Sequence, residues 1–162
     1  SLFNIDLSDE QWLQATLPIR VGGLGIRSVS LLAPSAFLAS AAGTRELQDK
    51  MLPSSFSHDD HELVRISDVW CELSGISAPS EGASLKRQSV WDNAICKNVR
   101  NSLMSNTTDL ATRARLLAIS SDHSSDWLHA LPLSACGLRM DDETLRISVG
   151  IRLGAKLCEP HT

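Results

Sequence analysis

Residues 17–28 read LPIRVGGLGIRS and place three glycines within four positions, directly after a short amphipathic stretch. A phosphate-binding loop here would predict an α/β fold, because such loops follow a buried strand and end in Gly-Lys-Ser/Thr. Gly22, Gly23 and Gly25 instead lead into Ile-Arg-Ser, and the residues before them predict a helix. The dinucleotide-binding pattern fails for the same reason. The stretch therefore predicts a tight turn between two helices, with glycines at positions of positive φ.

Helix signals lie on both sides of this turn. Ser8, followed three residues later by Gln11, predicts a capping box for the first helix. Ser28 is placed to cap a second helix of small apolar residues, and Gly43 is a suitable residue for its end. Pro34 lies inside that second helix, where it either kinks the helix or begins a fresh first turn.

Apolar residues recur at helical spacing through most of the remaining chain. Residues 59–73 carry one apolar helix face, and residues 85–104 carry the longest helical pattern. Thr107 or Thr108 is expected to cap a further helix that runs to about Ile119. The stretch DWLHAL, after a serine-rich turn, predicts one more short helix.

The last periodic stretch, TLRISVGIRLG (residues 144–154), fits two structures. Its apolar residues alternate as in a strand, yet Leu145, Val149 and Leu153 also share one helix face. No second clear strand exists to pair with it, and acids before and cations after the stretch suit a helix. We therefore predict a mostly α fold: an irregular bundle of about six to seven helices with little or no sheet.

The charge of the chain is uneven. The formal net charge is −4, which argues against a protein that coats nucleic acid over its whole surface. Residues 44–81 hold three cations and eight acids, whereas residues 84–115 hold six cations and two acids. This asymmetry indicates either a polar binding face on an acidic body or helix faces that only meet water.

The composition also suggests an organisation into parts. We predict a helical part with the glycine turn over residues 1–73, a linker at 74–84, and a second helical part at 85–157. Residues 158–162 form the start of a truncated zinc motif in this interpretation. Trp70, Trp91 and Trp127 lie among apolar residues and predict core packing.

Metal ligands and catalytic residues are sparse in the sequence. Cys158 and His161 have the Cys-x-x-His spacing of half a zinc site, which would need ligands beyond Thr162. The SHDDH stretch at 57–61 fits a helix start better than a metal site. A Ser/His/Asp turn at 120–127 is weak support for a hydrolase. Widely spaced cysteines and the lack of a targeting or membrane-spanning pattern predict an intracellular protein with reduced thiols and no membrane partner.

Two stretches resemble a known family. WLQATLPIRVGGLGIRSVSLLAPSAFLAS (residues 12–40) resembles the segment after the polymerase palm in reverse transcriptases of metazoan non-LTR retrotransposons. GLRMDDETLRISVGIRLG with LCEPH (137–154 and 157–161) is similar to the connector that leads, in those polyproteins, to a Cys/His zinc motif and an endonuclease. Such a polymerase would be an RNA-directed DNA polymerase of the nucleus and cytoplasm.

The resemblance implies a thumb and connector without a catalytic centre. The palm turn [FY]-x-D-D does not occur in the chain, so no enzyme activity is expected of this fragment and no cofactor beyond zinc in a longer chain. A thumb would grip template–primer duplex, or an RNA template, through backbone phosphates, with the remaining polyprotein as its other partner. The residues expected to meet phosphate are Arg20, Gly22, Gly23, Gly25, Arg27, Lys86, Arg87, Lys97, Arg100, Arg113 and Arg115. The alternative is a free-standing helical module whose apolar faces bind a protein.

Overall fold

A computed structural model describes residues 6–53, 60–79 and 82–157. These residues form seven α-helices and three short 3₁₀ turns, with no β-strand among them, so the prediction of a mostly helical fold is confirmed. In the described residues, no helix combines the length and apolar character needed to cross a membrane. The helices are Asp9–Thr16 (α1), Val29–Met51 (α2), His61–Ser74 (α3), Gln88–Asn106 (α4), Leu110–Ala118 (α5), Asp126–His129 (α6) and Asp142–Leu153 (α7), and the 3₁₀ turns are Ile19–Val21, Ala83–Lys86 and Ser134–Cys136.

The helix starts follow from capping side chains. The Ser8 hydroxyl accepts from the Gln11 backbone N–H at 3.3 Å, and the Gln11 side chain accepts from the Ser8 N–H at 2.9 Å. This confirms the predicted capping box. The predicted cap of α5 at Thr107 or Thr108 is wrong. Asp109 is the N-cap, because its carboxylate accepts from two amides of the first turn, while the Thr107 hydroxyl donates to the Leu103 carbonyl of α4.

The end of α2 also differs from the prediction. Gly43 does not end this helix, which continues to Met51. A methyl group at Gly43 would meet no atom within 4 Å, so the glycine continues the helix at an exposed position. The eight residues after it, TRELQDKM, are mostly good helix formers. Pro34 lies within α2, whose chain neither stops nor restarts there.

Contacts divide the chain into two units. Residues 1–26 and 100–162 form one unit, called here the terminal unit, and residues 27–99 form the central unit. The predicted linker at 74–84 falls inside the central unit, which does not end at residue 73. Within 74–84 the described residues are irregular up to the 3₁₀ turn that begins at Ala83.

Each unit has its own apolar core. In the central unit, the rings of Trp70 and Trp91 pack edge to face with centroids 5.0 Å apart. Both indole N–H groups are satisfied, because Trp70 donates to the Trp91 carbonyl and Trp91 donates to the Leu85 carbonyl. In the terminal unit, Ala15, Val149 and Leu153 form the buried cluster, and Trp127 packs against it. The core positions predicted for these tryptophans agree with the structure.

Candidate nucleic-acid interface

The glycine turn is built from a short 3₁₀ segment. Pro18 precedes Ile19–Val21, and Gly22 ends the segment in the left-handed region at φ 98°. Its N–H donates to the Ile19 carbonyl at 3.1 Å, and the N–H of Gly23 donates to the Pro18 carbonyl at 3.2 Å. Gly25 also has a positive φ, 74°. The expectation of a tight turn with positive-φ glycines is met at Gly22 and Gly25.

Gly23 is required for a different reason, namely close packing of the turn against its own chain. A Cβ added there would lie 2.7 Å from the Cβ of Leu17 and closer still to the Leu17 carbonyl oxygen. That oxygen accepts the Gly25 N–H at 2.9 Å, so it is held in place. Gly22 and Gly23 are both buried. The close approach that these glycines permit is therefore to residues of the terminal unit itself.

Arg152 of α7 holds the turn from inside the terminal unit, and the sequence analysis missed it. Only 3% of this residue is exposed. Its guanidinium donates to the carbonyls of Gly23 at 3.1 Å and Ile19 at 2.8 Å. Further bonds reach the Ser124 carbonyl and the Ser125 hydroxyl. Burial lowers the pKa of Arg152 from its ordinary value. In the sequence, Arg152 lies three residues after Val149, and this helical spacing indicates that Arg152 lies on the buried face of α7.

Gln14 is the second residue that fixes the turn and was not predicted. Its amide nitrogen donates to the Gly22 carbonyl at 3.0 Å and to the Arg152 carbonyl at 3.1 Å. Its amide oxygen accepts from Arg115 Nη1 at 2.9 Å. Gln14 is 2% exposed, so these bonds satisfy a fully buried amide. Carbonyl groups of Gly22 and Gly23 thus face side chains of the protein.

Several of the predicted phosphate-binding cations have partners in the protein, among them Arg27, Lys86, Arg100 and Arg115. Arg27 forms an ion pair with Asp92 and also donates to Cys96 Sγ at 3.4 Å. Lys86 pairs with Glu46 at 2.7 Å, and the hydrogen bond from Lys86 lowers the pKa of that carboxyl. Arg100 Nε donates to the Ser120 hydroxyl at 3.4 Å. Arg115 is half-buried and donates to Gln14 and to the Arg152 carbonyl.

The other predicted cations, Arg20, Arg87, Lys97 and Arg113, are exposed. Lys97 lies on α4 in a row of exposed polar residues spaced four apart. The row has no carboxylate, and the one acid of α4, Asp92, is paired with Arg27. With a rise of about 1.5 Å per residue, the row extends about 12 Å along the helix. We call it the α4 polar face, and its members are Ser89, Asn93 and Lys97, which lie within about 80° of one another around the helix axis.

The predicted zinc ligands Cys158 and His161 lie outside the described residues. Among the residues that the structure does describe, no three His, Cys, Asp or Glu side chains are grouped so as to hold a metal ion. In the SHDDH stretch, Asp60 caps α3 by accepting from the amides of Glu62 and Leu63. The Ser/His/Asp turn pairs His123 with Asp126 at 2.9 Å in exposed positions. The Ser121 and Ser124 hydroxyls donate to backbone carbonyls, not to the imidazole.

No protein-family model matches the chain, and searches among curated proteins and among solved structures find no similar one. The likeness to retrotransposon reverse transcriptases therefore depends on the two stretches quoted above and stays a prediction.

Proposed function

We propose that this chain is a noncatalytic helical part of a non-LTR retrotransposon reverse transcriptase, the thumb and connector, and that it contacts nucleic acid through backbone phosphates. The resemblance of residues 12–40 and 137–154 supports the family. The geometry of α4 supports the contact. Asp141, the first of the two adjacent acids in the second stretch, has a structural role, since it caps α7 by accepting the Thr144 amide at 2.7 Å.

The observation that carries the proposal is the α4 polar face. Hydroxyl, amide and ammonium groups are the side chains that commonly bind phosphate oxygens, and they carry no sequence preference. Pairing of Asp92 with Arg27 neutralises the one charge on α4 that would repel phosphate. The length of the face, about 12 Å, matches about three to four base-pair steps of one strand. A thumb that grips duplex of any sequence needs such a surface.

Salt dependence of duplex binding tests the proposal. Fluorescence anisotropy with a short RNA–DNA hybrid duplex gives the slope of log K against log salt. Replacing the exposed Arg87 and Lys97 together by alanine is expected to lower the magnitude of that slope by about two, because each phosphate contact contributes about one. The control replaces Lys50 and Arg65, two exposed cations of α2 and α3, and is expected to leave the slope unchanged.

Equal slopes for the wild type and the Arg87/Lys97 variant would remove the α4 region from the interface. A loss of slope that is as large in the Lys50/Arg65 control would show that only the net charge matters. Either result contradicts the proposal.

Exposed apolar residues favour the second candidate, a helical module that binds a protein. Ile147 and Ile151 of α7 lie one turn apart and are 38% and 62% exposed. Leu131 and Leu133, before α7, are also exposed. Apolar side chains grouped on a surface are a common feature of protein-binding sites. Absence of any duplex binding at low salt would favour this candidate over the first.

A further inference from the structure

The terminal unit contains a polar cavity of about 130 Å³ that the glycine turn and the α4 polar face do not use. The volume is about ten times what a single water molecule needs. Its lining comes from α1 and its N-cap, from the end of α4 and the residue after it, from α5, and from the residue that ends α7. The polar residues in the lining are Ser8, Glu10, Gln11, Gln14, Thr107, Thr112 and Arg115.

Arg115 lines this cavity, and the protein's own hydrogen bonds occupy only part of its guanidinium. Its Nη1 atom donates to the Gln14 side chain at 2.9 Å and to the Arg152 carbonyl at 2.6 Å. In the described part of the chain, Nε and Nη2 have no hydrogen-bond acceptor, and no carboxylate pairs with the group. A guanidinium has five N–H donors. Three of its five donors therefore have no acceptor in the described part of the chain, and Arg115 lines the cavity.

Arg115 is exceptional among the buried cations of this unit. Arg152 is more deeply buried, but its guanidinium is bonded to four oxygen atoms of the protein. Arg115 is half-buried, and burial lowers its pKa, with no acid to offset the loss of hydration. Taking a charge out of water is costly unless an opposite charge or hydrogen bonds compensate. An anion in the cavity would supply both.

The surroundings of Arg115 fit such an anion. A Cβ at Gly154 would lie 2.5 Å from Arg115 Nε and 2.8 Å from Cζ, so the glycine makes room for the guanidinium. Thr112 also lines the cavity. Glu10, an exposed residue, is the one acid of the lining and would oppose an anion.

We propose that this cavity binds a phosphate oxyanion through the guanidinium of Arg115. The inference is separate from the proposed function, because it depends on the terminal unit alone and on a group that the α4 polar face does not include. Bidentate hydrogen bonding from a guanidinium suits tetrahedral oxyanions.

Titration of the full chain with inorganic phosphate, at constant ionic strength, tests the proposal. The Arg115 Nε–H resonance and the Thr112 amide in ¹H–¹⁵N NMR spectra report on occupancy. We expect saturable shifts of both, and Arg115→Gln to weaken binding by at least about tenfold. Arg113→Gln removes an equal charge two residues away on the same helix, at an exposed position, and is expected to leave the affinity within about twofold.

Two further measurements keep the test decisive. Glu10→Gln removes the opposing carboxylate without touching Arg115 and is expected to tighten phosphate binding several-fold, which decides the matter if Arg115→Gln does not fold. Shifts that do not saturate, or equal losses in the Arg113 and Arg115 variants, would overturn the proposal. Duplex binding of Arg115→Gln identifies the source of the phosphate: unchanged duplex affinity assigns the cavity to a free ion, and weakened affinity assigns it to a backbone phosphate.

Discussion

Replacing Gly23 by alanine places a methyl group against the carbonyl of Leu17. The new Cβ would be 2.7 Å from Leu17 Cβ and nearer still to the carbonyl oxygen, whereas Cβ contacts below 3.0 Å essentially never occur. Relief requires the Leu17 carbonyl to move by roughly 1 Å, which breaks its hydrogen bond from the Gly25 N–H. Overpacking costs about 1–3 kcal/mol and a lost hydrogen bond about 1 kcal/mol. We therefore expect Gly23→Ala to lower the free energy of unfolding by about 3 kcal/mol.

Urea denaturation followed by far-UV circular dichroism measures this change. Gly43→Ala is the matched control, because a methyl group at Gly43 would meet nothing within 4 Å and alanine is the better helix former. It is expected to raise the free energy of unfolding by about 0.5–1 kcal/mol. A Gly23→Ala protein that unfolds within about 0.5 kcal/mol of the wild type would refute the packing of the turn described above.

Two further predictions concern the terminal unit. Arg152→Met removes the donors that satisfy the buried carbonyls of the glycine turn, and we expect it to lower the free energy of unfolding by about 3–5 kcal/mol. The control, Arg146→Met on the same helix, is expected to lower it by less than about 1 kcal/mol. Equal losses in urea denaturation would show that Arg152 does not hold the turn. Hydrogen bonds from the first turns of α5 and α7 hold the pKa of Asp109 and Asp141 below the usual value of 3.8. Their stabilisation is therefore complete above pH 3.8 and is lost as the pH falls through the lower, folded-state pKa. Thermal unfolding across that pH range is expected to show a smaller pH dependence for Asp109→Asn than for the wild type, and an unchanged dependence would contradict the cap.

Local patterns were sufficient to predict most of the helices. The capping box at Ser8 and Gln11 and the i, i+4 spacing of residues 85–104 depend on residues close in sequence. The structure has the capping box, and α4 covers Gln88–Asn106, with a 3₁₀ turn at Ala83–Lys86 where the predicted helix begins. The choice of helix for residues 144–154 was also correct. It depended on acids before and cations after the stretch, and Asp141 and Gly154 do cap α7.

These local patterns do not determine where helices begin and end, nor which residues distant in sequence come into contact. Both Thr107 and Asp109 suit an N-cap, and only the path of the chain after α4 decides between them. Gly43 carries no signal that separates a helix end from a helix interior, since glycine adopts either conformation. Arg152 contacts Gly23 across 129 positions, so its role as the support of the turn has no local signature. Periodicity places Arg152 on the inner face of α7 but does not reveal what satisfies its charge.

Lysine footprinting with RNA–DNA hybrid duplex tests the central proposal most directly. Amine-reactive acylation followed by mass spectrometry compares Lys97, on the α4 polar face, with Lys50, at the end of α2, in one sample. If the α4 polar face contacts backbone phosphates, saturating duplex at low salt slows the acylation of Lys97 several-fold and leaves the acylation rate of Lys50 unchanged. This protection of Lys97 is lost as the salt concentration rises. Unprotected Lys97 under saturating duplex, or equal protection of Lys97 and Lys50, would contradict the proposed interface.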